Sequence, residues 1–388
     1  MKSPITKIIQ KIPPRMLGDL IIMGSGVVLA LLIRYSLRGF ESGDYIYSTQ
    51  SWYATIKDQG FRAFSSNFSN YTPLYLYCLY VVSVVLPPIH SVFAIKLPSI
   101  LADVICAWYV YRIVRLKYQG DSPLPFFSFM TVLFAPTVVL NSAFWGQADS
   151  LYTAALMACL YYLLIKRETY SMLAFGIAFA LKLQAIFLIP LLAGLILKRV
   201  LSWKQTGFIP MVYIITMIPA WLAGRSLYKL ITIYVAQVNT FDALTLNAPN
   251  LYTWIPPNMY KFFYPAGLIG AIGICFLFVV GVYKSRTKLT SPIITQLALA
   301  SVMIMPYFLP KMHERYFYIG DVLSIVYGFY YPKYFFVPIL IGLASFFAYQ
   351  PFLFGREIIP LSFLALVLLS VIVMIVRHTI MILYSEGE

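Results

Sequence analysis

The chain has 388 residues, of which 61% are hydrophobic and only 11% charged, and its mean hydropathy is +0.80. Soluble domains carry about 25% charged residues, so the composition excludes a water-soluble fold and implies an all-α, polytopic transmembrane protein. The net charge of +15 does not indicate a nucleic-acid partner. Lys and Arg fall in short clusters between apolar runs, as orientation signals do, and some can meet anionic lipid phosphates.

Other chemistries drop out early. Cys78, Cys106, Cys159 and Cys275 each sit inside an apolar run without metal-ligand spacing, and they read as packed membrane residues. The three histidines are dispersed, so no zinc site can be assembled from the usual ligands. No GxGxxG or P-loop is present. The aromatic share of 17% suits interfacial belts and aromatic-lined cavities.

In chain order, Lys2, Lys7, Lys11 and Arg15 place the N-terminus in the cytoplasm by the positive-inside tendency. Residues 17–36 form one span, since about 20 apolar residues cross a hydrocarbon core. Arg34 and Arg38 flank it rather than a small-residue cleavage site, so it is expected to be retained. Residues 38–73 are then an outer loop holding Glu41, Asp44 and Asp58, three of only 14 acidic residues. Weak helical signals lie at 48–57 and 61–68. Two apolar runs follow, 74–86 and 92–111, separated by Pro87-Pro88 and closed by Arg112, Arg115 and Lys117. Going from outside to inside needs an odd number of crossings. The run 74–86, too short to cross alone, is therefore expected not to span.

Residues 123–140 cross outward, 141–150 form an outer loop, and 151–165 return to Lys166-Arg167. The run 171–197 begins and ends beside basic clusters. It is expected to be a hairpin with Lys182-Leu183-Gln184 at its tip, inside a cavity or buried in protein. Residues 207–223 cross outward to a second outer stretch, 224–264. Spans follow at 266–283, 292–308, 317–331, 335–349 and 361–376, with a short outer loop holding Lys311 to Arg315. The C-terminus is cytoplasmic after Arg377-His378. The result is a single domain over 1–388 with 11–13 membrane segments: a first outer loop at 37–73, a core over 74–330 and C-terminal helices over 331–388. No internal repeat or linker is evident.

The unusual polar residues gather on the outer face. A charge in or beside a span costs about 2.5–3.5 kcal/mol on insertion scales, so each implies function or a partner. Asp44 can serve as a general base toward a hydroxyl, or cap the following surface helix. Lys311, His313 and Arg315 can clamp a phosphate, Arg in bidentate fashion; the alternative is snorkelling plus a Glu314–Arg315 pair. Lys182 can contact the same phosphate, or pair with Asp149 or Asp103. Asp103, mid-helix, needs a partner in any arrangement. Trp145, Gln147 and Asp149 can stack on and hydrogen-bond to a sugar, or serve as an aromatic belt with an Asp cap.

At these residues the chain resembles a family. An Asp shortly after the first span, in a loop closing with NYTPLYLY, is similar to the GT-C class of membrane glycosyltransferases. WGQADS at Trp145–Ser150, LKLQ at Leu181–Gln184, LNAPNLYTW at Leu246–Trp254 and KMHERYFY at Lys311–Tyr318 are similar to its bacterial and archaeal members related to GPI mannosyltransferases and Asn-linked-glycan glucosyltransferases. The resemblance runs through about Asp321. It implies a polyprenyl- or dolichyl-phosphate sugar donor, a lipid or glycan acceptor, inverting transfer of a hexose (mannose or glucose foremost) and an extracytoplasmic active site. It implies Asp44 as catalytic base, Lys182, Lys311, His313 and Arg315 as phosphate contacts, and Trp145, Gln147, Asp149, Asn247, Asn250 and Tyr71 as sugar or acceptor contacts. No metal or other cofactor is expected.

The alternative class is a membrane transporter or lipid flippase, where broken helices and midplane charges also occur; a non-catalytic scaffold subunit is a third. Within the enzyme class, a protein O-mannosyltransferase and a lipid A aminoarabinose transferase stay open, although both usually carry other loop motifs. Sequons at Asn67 and Asn70 would obstruct the site if glycosylated, which favours a prokaryotic plasma membrane.

Overall fold

The protein is described by a computed structural model covering residues 14–384, and the segment with Lys2, Lys7 and Lys11 lies outside the described residues. It is an all-α integral membrane protein. Among the described residues, six helices are long and apolar enough to cross a bilayer, seven if one bent pair counts as a single span, and five shorter apolar helices accompany them.

Helix α1 (Pro14–Ser36) ends in the first polar loop. There α2 (Gln50–Gln59) and a 3-10 turn, Gly60–Ser65, form, close to the two weak signals in the sequence. Helix α3 (Pro73–Val85) starts on a proline after an extended Thr72, as suits a residue whose ring fixes the first helical turn. It is only 13 residues long. Its start is tied to Leu181 O by the Thr72 hydroxyl (3.3 Å). Beyond it, Ser91 at the head of α4 (Ser91–Lys117) bonds Tyr45 in the first loop (2.8 Å). Both flanks of α3 therefore lie at the same end of the molecule.

Two breaks shape the core. Helix α5 (Leu124–Phe134) and α6 (Pro136–Val139) were expected as one straight span over 123–140, but they meet at 46°. Ala135, forced out of the helical region by Pro136, takes ψ 125°. The second break is Lys182, at φ −156° and ψ 139° between α8 (Glu168–Leu181) and the 3-10 turn leading to α9 (Ile189–Leu197). The arms fold back as a hairpin: Glu168 at the start of α8 accepts from the Ser202 amide just past the end of α9 (2.9 Å).

The expected outer loop 141–150 is not a solvent loop. Leu140–Trp145 continues α6 as a wide helical turn, and α7 starts at once (Asp149–Leu164). Its polar groups are buried because they are paired: Ser142 Oγ donates to Asp103 Oδ2 (2.6 Å) and Asn141 Nδ2 to Asp149 Oδ2 (3.0 Å). Asp103 finds its partner in Arg34, Nε to Oδ2 2.8 Å, with both side chains buried.

The remaining helices are α10 (Phe208–Leu222), the short α11 (Leu227–Ile231) and α12 (Ile233–Val238), α13 (Tyr260–Lys284), α14 (Ser291–Phe308), α15 (Tyr318–Tyr330), α16 (Phe336–Phe354) and α17 (Leu361–Tyr384). Helix α14 lies at the centre, 83% buried over its apolar window, whereas α13 is 11% buried and lipid-facing. Several helices outrun their expected ends: α4 passes through its basic cluster to Lys117, α13 starts at Tyr260 and α17 runs to Tyr384. Basic side chains need not end a helix, because their long stems carry the charge to the head groups. His378, expected at a helix end, is buried within α17, its Nδ1 2.8 Å from Tyr327 Oη.

Candidate active site

The first loop, the 145–149 segment, the Lys182 break and the 311–316 loop meet at one end of the bundle, around a cavity of about 380 Å³. At the opposite end lie Lys117 against Tyr330 O, Lys198 against Ser285 O (2.6 Å), and Thr287 against Leu383 O (2.9 Å).

Asp44 stands on the cavity wall with its side chain 33% exposed. It makes no capping hydrogen bond to the helical turn that follows. Instead, its Oδ2 accepts from Trp145 Nε1 (2.9 Å) and from Gln147 Nε2. Among the described residues Oδ1 accepts no hydrogen bond, so one oxygen is fixed and the other faces the cavity. The loop that carries Asp44 is itself anchored. Buried Lys96 donates to the carbonyls of Arg38 (3.2 Å) and Phe40 (2.7 Å), and Ser42 Oγ to Trp145 O (2.8 Å).

Arg315, 9% exposed, is the electrostatic hub. Its Nη1 lies 3.0 Å from Glu314 Oε1 and 4.0 Å from Asp44 Oδ2, and its Nε 4.0 Å from Asp149 Oδ2. Burial alone would lower the guanidinium, but Asp44 and Glu314 outweigh it and hold it firmly charged. Burial pushes the Glu314 carboxyl up to about 7, against the pull of Arg315. Lys182 Nζ pairs with Asp149 Oδ1, one of the two partners open to it in the sequence. That pair closes the inner wall.

His313 departs from the expected role of a cation. Burial, then the positive charges of Arg315 and Lys182, pushes its imidazole down to about 2, so it faces the cavity neutral. It is placed by a two-residue parallel ladder, Thr245–Leu246 against Met312–His313. Lys311, in the left-handed region at φ 63°, turns its ammonium over Tyr264 (4.7 Å) and toward Asp242 (3.6 Å) at the rim.

Thus Asp44, Tyr71, Gln147, Lys182, Lys311, His313 and Arg315 share the cavity. Trp145 and Asp149 are fully buried just behind it, Trp145 against Asp44 and Asp149 against Lys182 and Arg315; Trp145 is no interfacial belt residue. Asn247 reaches the site through its backbone bridge to His313. Asn250 lies apart: its amide donates to Pro306 O (3.3 Å) and Leu309 O (3.4 Å) and accepts from Tyr252 N (3.0 Å), which staples the loop. Sequence reasoning passed over Gln184, which lines the cavity with a buried Oε1 lacking any partner. Its signal was the LKLQ motif, two residues after Lys182.

Residues 61–223 match the family described as dolichyl-phosphate-mannose-protein mannosyltransferase, a stretch that includes Tyr71, Trp145, Gln147, Asp149 and Lys182. No curated protein matches the chain. The fold is similar to that of ArnT from Cupriavidus metallidurans, solved bound to undecaprenyl phosphate, with a TM-score of 0.56 and 15% identity over 94% of this chain and 71% of that one. The matched segment, less than half of the chain, and the similar fold point the same way.

Proposed function

We propose that the protein is a membrane glycosyltransferase of the GT-C type that transfers a hexose, mannose or glucose foremost, from a polyprenyl-phosphate-linked donor to a hydroxyl of a lipid or glycan acceptor, with inversion. Asp44 takes the hydroxyl proton as the acceptor oxygen attacks the anomeric carbon. The bond from that carbon to the phosphate oxygen breaks from the opposite side, and polyprenyl phosphate leaves. Lys182 and Arg315 meet the charge that develops on it, in a buried setting where preorganised cations act strongly. A metal ion has no part in this reading.

One observation carries the proposal. Asp44 is held through one carboxylate oxygen by Trp145 and Gln147, with Arg315 4.0 Å from that oxygen and Lys182 on the same cavity. A base and a phosphate clamp thus share one space with Trp52, Tyr71 and Tyr316, ring faces suited to a sugar. The matched family and the undecaprenyl phosphate bound by ArnT support the donor class. The basic residues Lys117, Lys198, Arg286 and Lys288 belong to the opposite end, which supports an extracytoplasmic site and a cytoplasmic C-terminus.

The test is transfer by the purified full-length enzyme from a panel of polyprenyl-phosphate sugars, with the product anomer read by NMR. Asp44→Asn should lose about 10²–10⁴ in rate, the scale of general base catalysis, with an unchanged melting temperature. Wild-type turnover by that variant, or retention at the anomeric carbon, overturns the assignment.

A further inference from the structure

Most polar side chains on the wall of the cavity that holds Asp44 are already committed. Of its three glutamines, Gln147 donates to Asp44 and Gln237 to the carbonyl of Asn70. Lys182 is held by Asp149 and Arg315 by Glu314, and Thr240 donates to Ala236 O (3.3 Å). Gln184 is not committed. It is 8% exposed, its Oε1 is buried without a partner, and among the described residues no hydrogen bond reaches either end of its carboxamide. A buried amide left unmet forfeits the hydrogen bonds it makes in water, so its place on a cavity wall points to a ligand that meets it.

The position is built. Gln184 sits in the 3-10 turn Leu183–Leu188, directly after the Lys182 break. The chain is tied before the turn by the Thr72 hydroxyl to Leu181 O (3.3 Å) and within it by Ser301 Oγ to Phe187 O (2.7 Å). The backbone that carries the amide is therefore fixed from two sides. The amide also names the chemistry of its partner. A carboxamide both donates and accepts, as a hydroxyl does, whereas an ammonium only donates and a carboxylate only accepts. A phosphate is served instead by the cations Lys182 and Arg315. Two residues span at most about 7 Å of chain, so a sugar ring whose phosphate meets Lys182 brings its own hydroxyls past Gln184. We infer that Gln184 binds one ring hydroxyl of the transferred sugar and selects the donor by it, an assignment that rests on the proposed function.

The test is a double-mutant cycle between protein and donor. With the full-length protein in nanodiscs, kcat/KM is measured for polyprenyl-phosphate mannose and glucose, and for analogues of the better donor that each lack one ring hydroxyl. In the wild type one analogue should lose about tenfold to a hundredfold, the effect of leaving a buried amide unmet. Gln184→Met, of similar volume but without the amide, should lose a similar factor on the parent donor. It should show no further loss with that analogue and the wild-type losses with the others. Gln184→Asn, which withdraws the amide by one methylene, makes the same comparison if Gln184→Met does not fold. A purely structural role would lower every donor by one factor. Such additive losses overturn the inference, as does a wild type that tolerates every missing hydroxyl. A wild type that transfers neither hexose overturns the proposed function itself, and this inference with it.

Discussion

Lys182 and Asp149 are buried together, and neither can be removed alone without exposing the other's charge to a dry interior. Lys182→Met should destabilise the protein by about 3 kcal/mol, the lower end for breaking a buried pair, because Asn141 and Arg315 still attend Asp149. Adding Asp149→Asn should recover most of the melting temperature but not transfer. Recovery of both would make Lys182 structural alone. Glu314 sets a pH dependence. Its carboxyl titrates at about 7 in the folded protein against an ordinary 4.5. A raised carboxyl favours the native state most when protonated. That stability is full below about pH 4.5 and is lost as pH rises through about 7, on the order of 3 kcal/mol at full ionisation. Melting curves in detergent at pH 5 and pH 8 should show the decline, and Glu314→Gln should flatten it. Such roles were only partly legible in the sequence. Asp44 stood out as a rare acid in a polar loop. Whether it capped a helix or faced a substrate depended on Trp145 and Gln147, about a hundred residues away. The neutrality of His313 depended on burial and two cations that spacing does not reveal.

Helices were more legible than side chains, since a bilayer imposes long apolar stretches that any pass along the chain can find. What escaped was how they are interrupted. Pro136 bends a stretch that hydropathy alone reads as straight, and the polar 141–150 segment reads as a loop until its partners on α4 and α7 are known. Conversely, the Lys182 break was legible, because basic clusters at both ends of one apolar run demand a return. The segment between α6 and α7 also depends on Gly146, which sits at φ 84° with the stem of Lys96 only 3.3 Å from where a Cβ would stand. Gly146→Ala adds left-handed strain of about 1–2 kcal/mol and pushes on Lys96, between the two residues that hold Asp44. Transfer should fall by at least about tenfold, measured alongside the melting temperature. An unchanged rate would mean that the Trp145–Gln147 clamp tolerates displacement.

At the scale of the whole molecule, polar chemistry is sorted to one end and basic ties to the other. In a background lacking the four native cysteines, an impermeant maleimide should label Gln50→Cys, exposed on α2, in intact cells. It should label Lys288→Cys, exposed between α13 and α14, only after permeabilisation. The reverse pattern would invert the protein in its membrane and place its cavity on the cytoplasmic face.

The Arg34–Asp103 pair also carries a consequence for how the protein is made. Its members are 69 residues apart, so a ribosome adding about 5–20 residues per second delivers Asp103 roughly 3–14 s after Arg34. Throughout that interval the guanidinium lacks its carboxylate and has the Ala30 carbonyl of its own helix (3.2 Å) and the head groups within its reach. Helix α1 cannot take its final seat until α4 emerges. The tie that closes the bundle around Asp103 and Ser142 thereby sets an order of assembly.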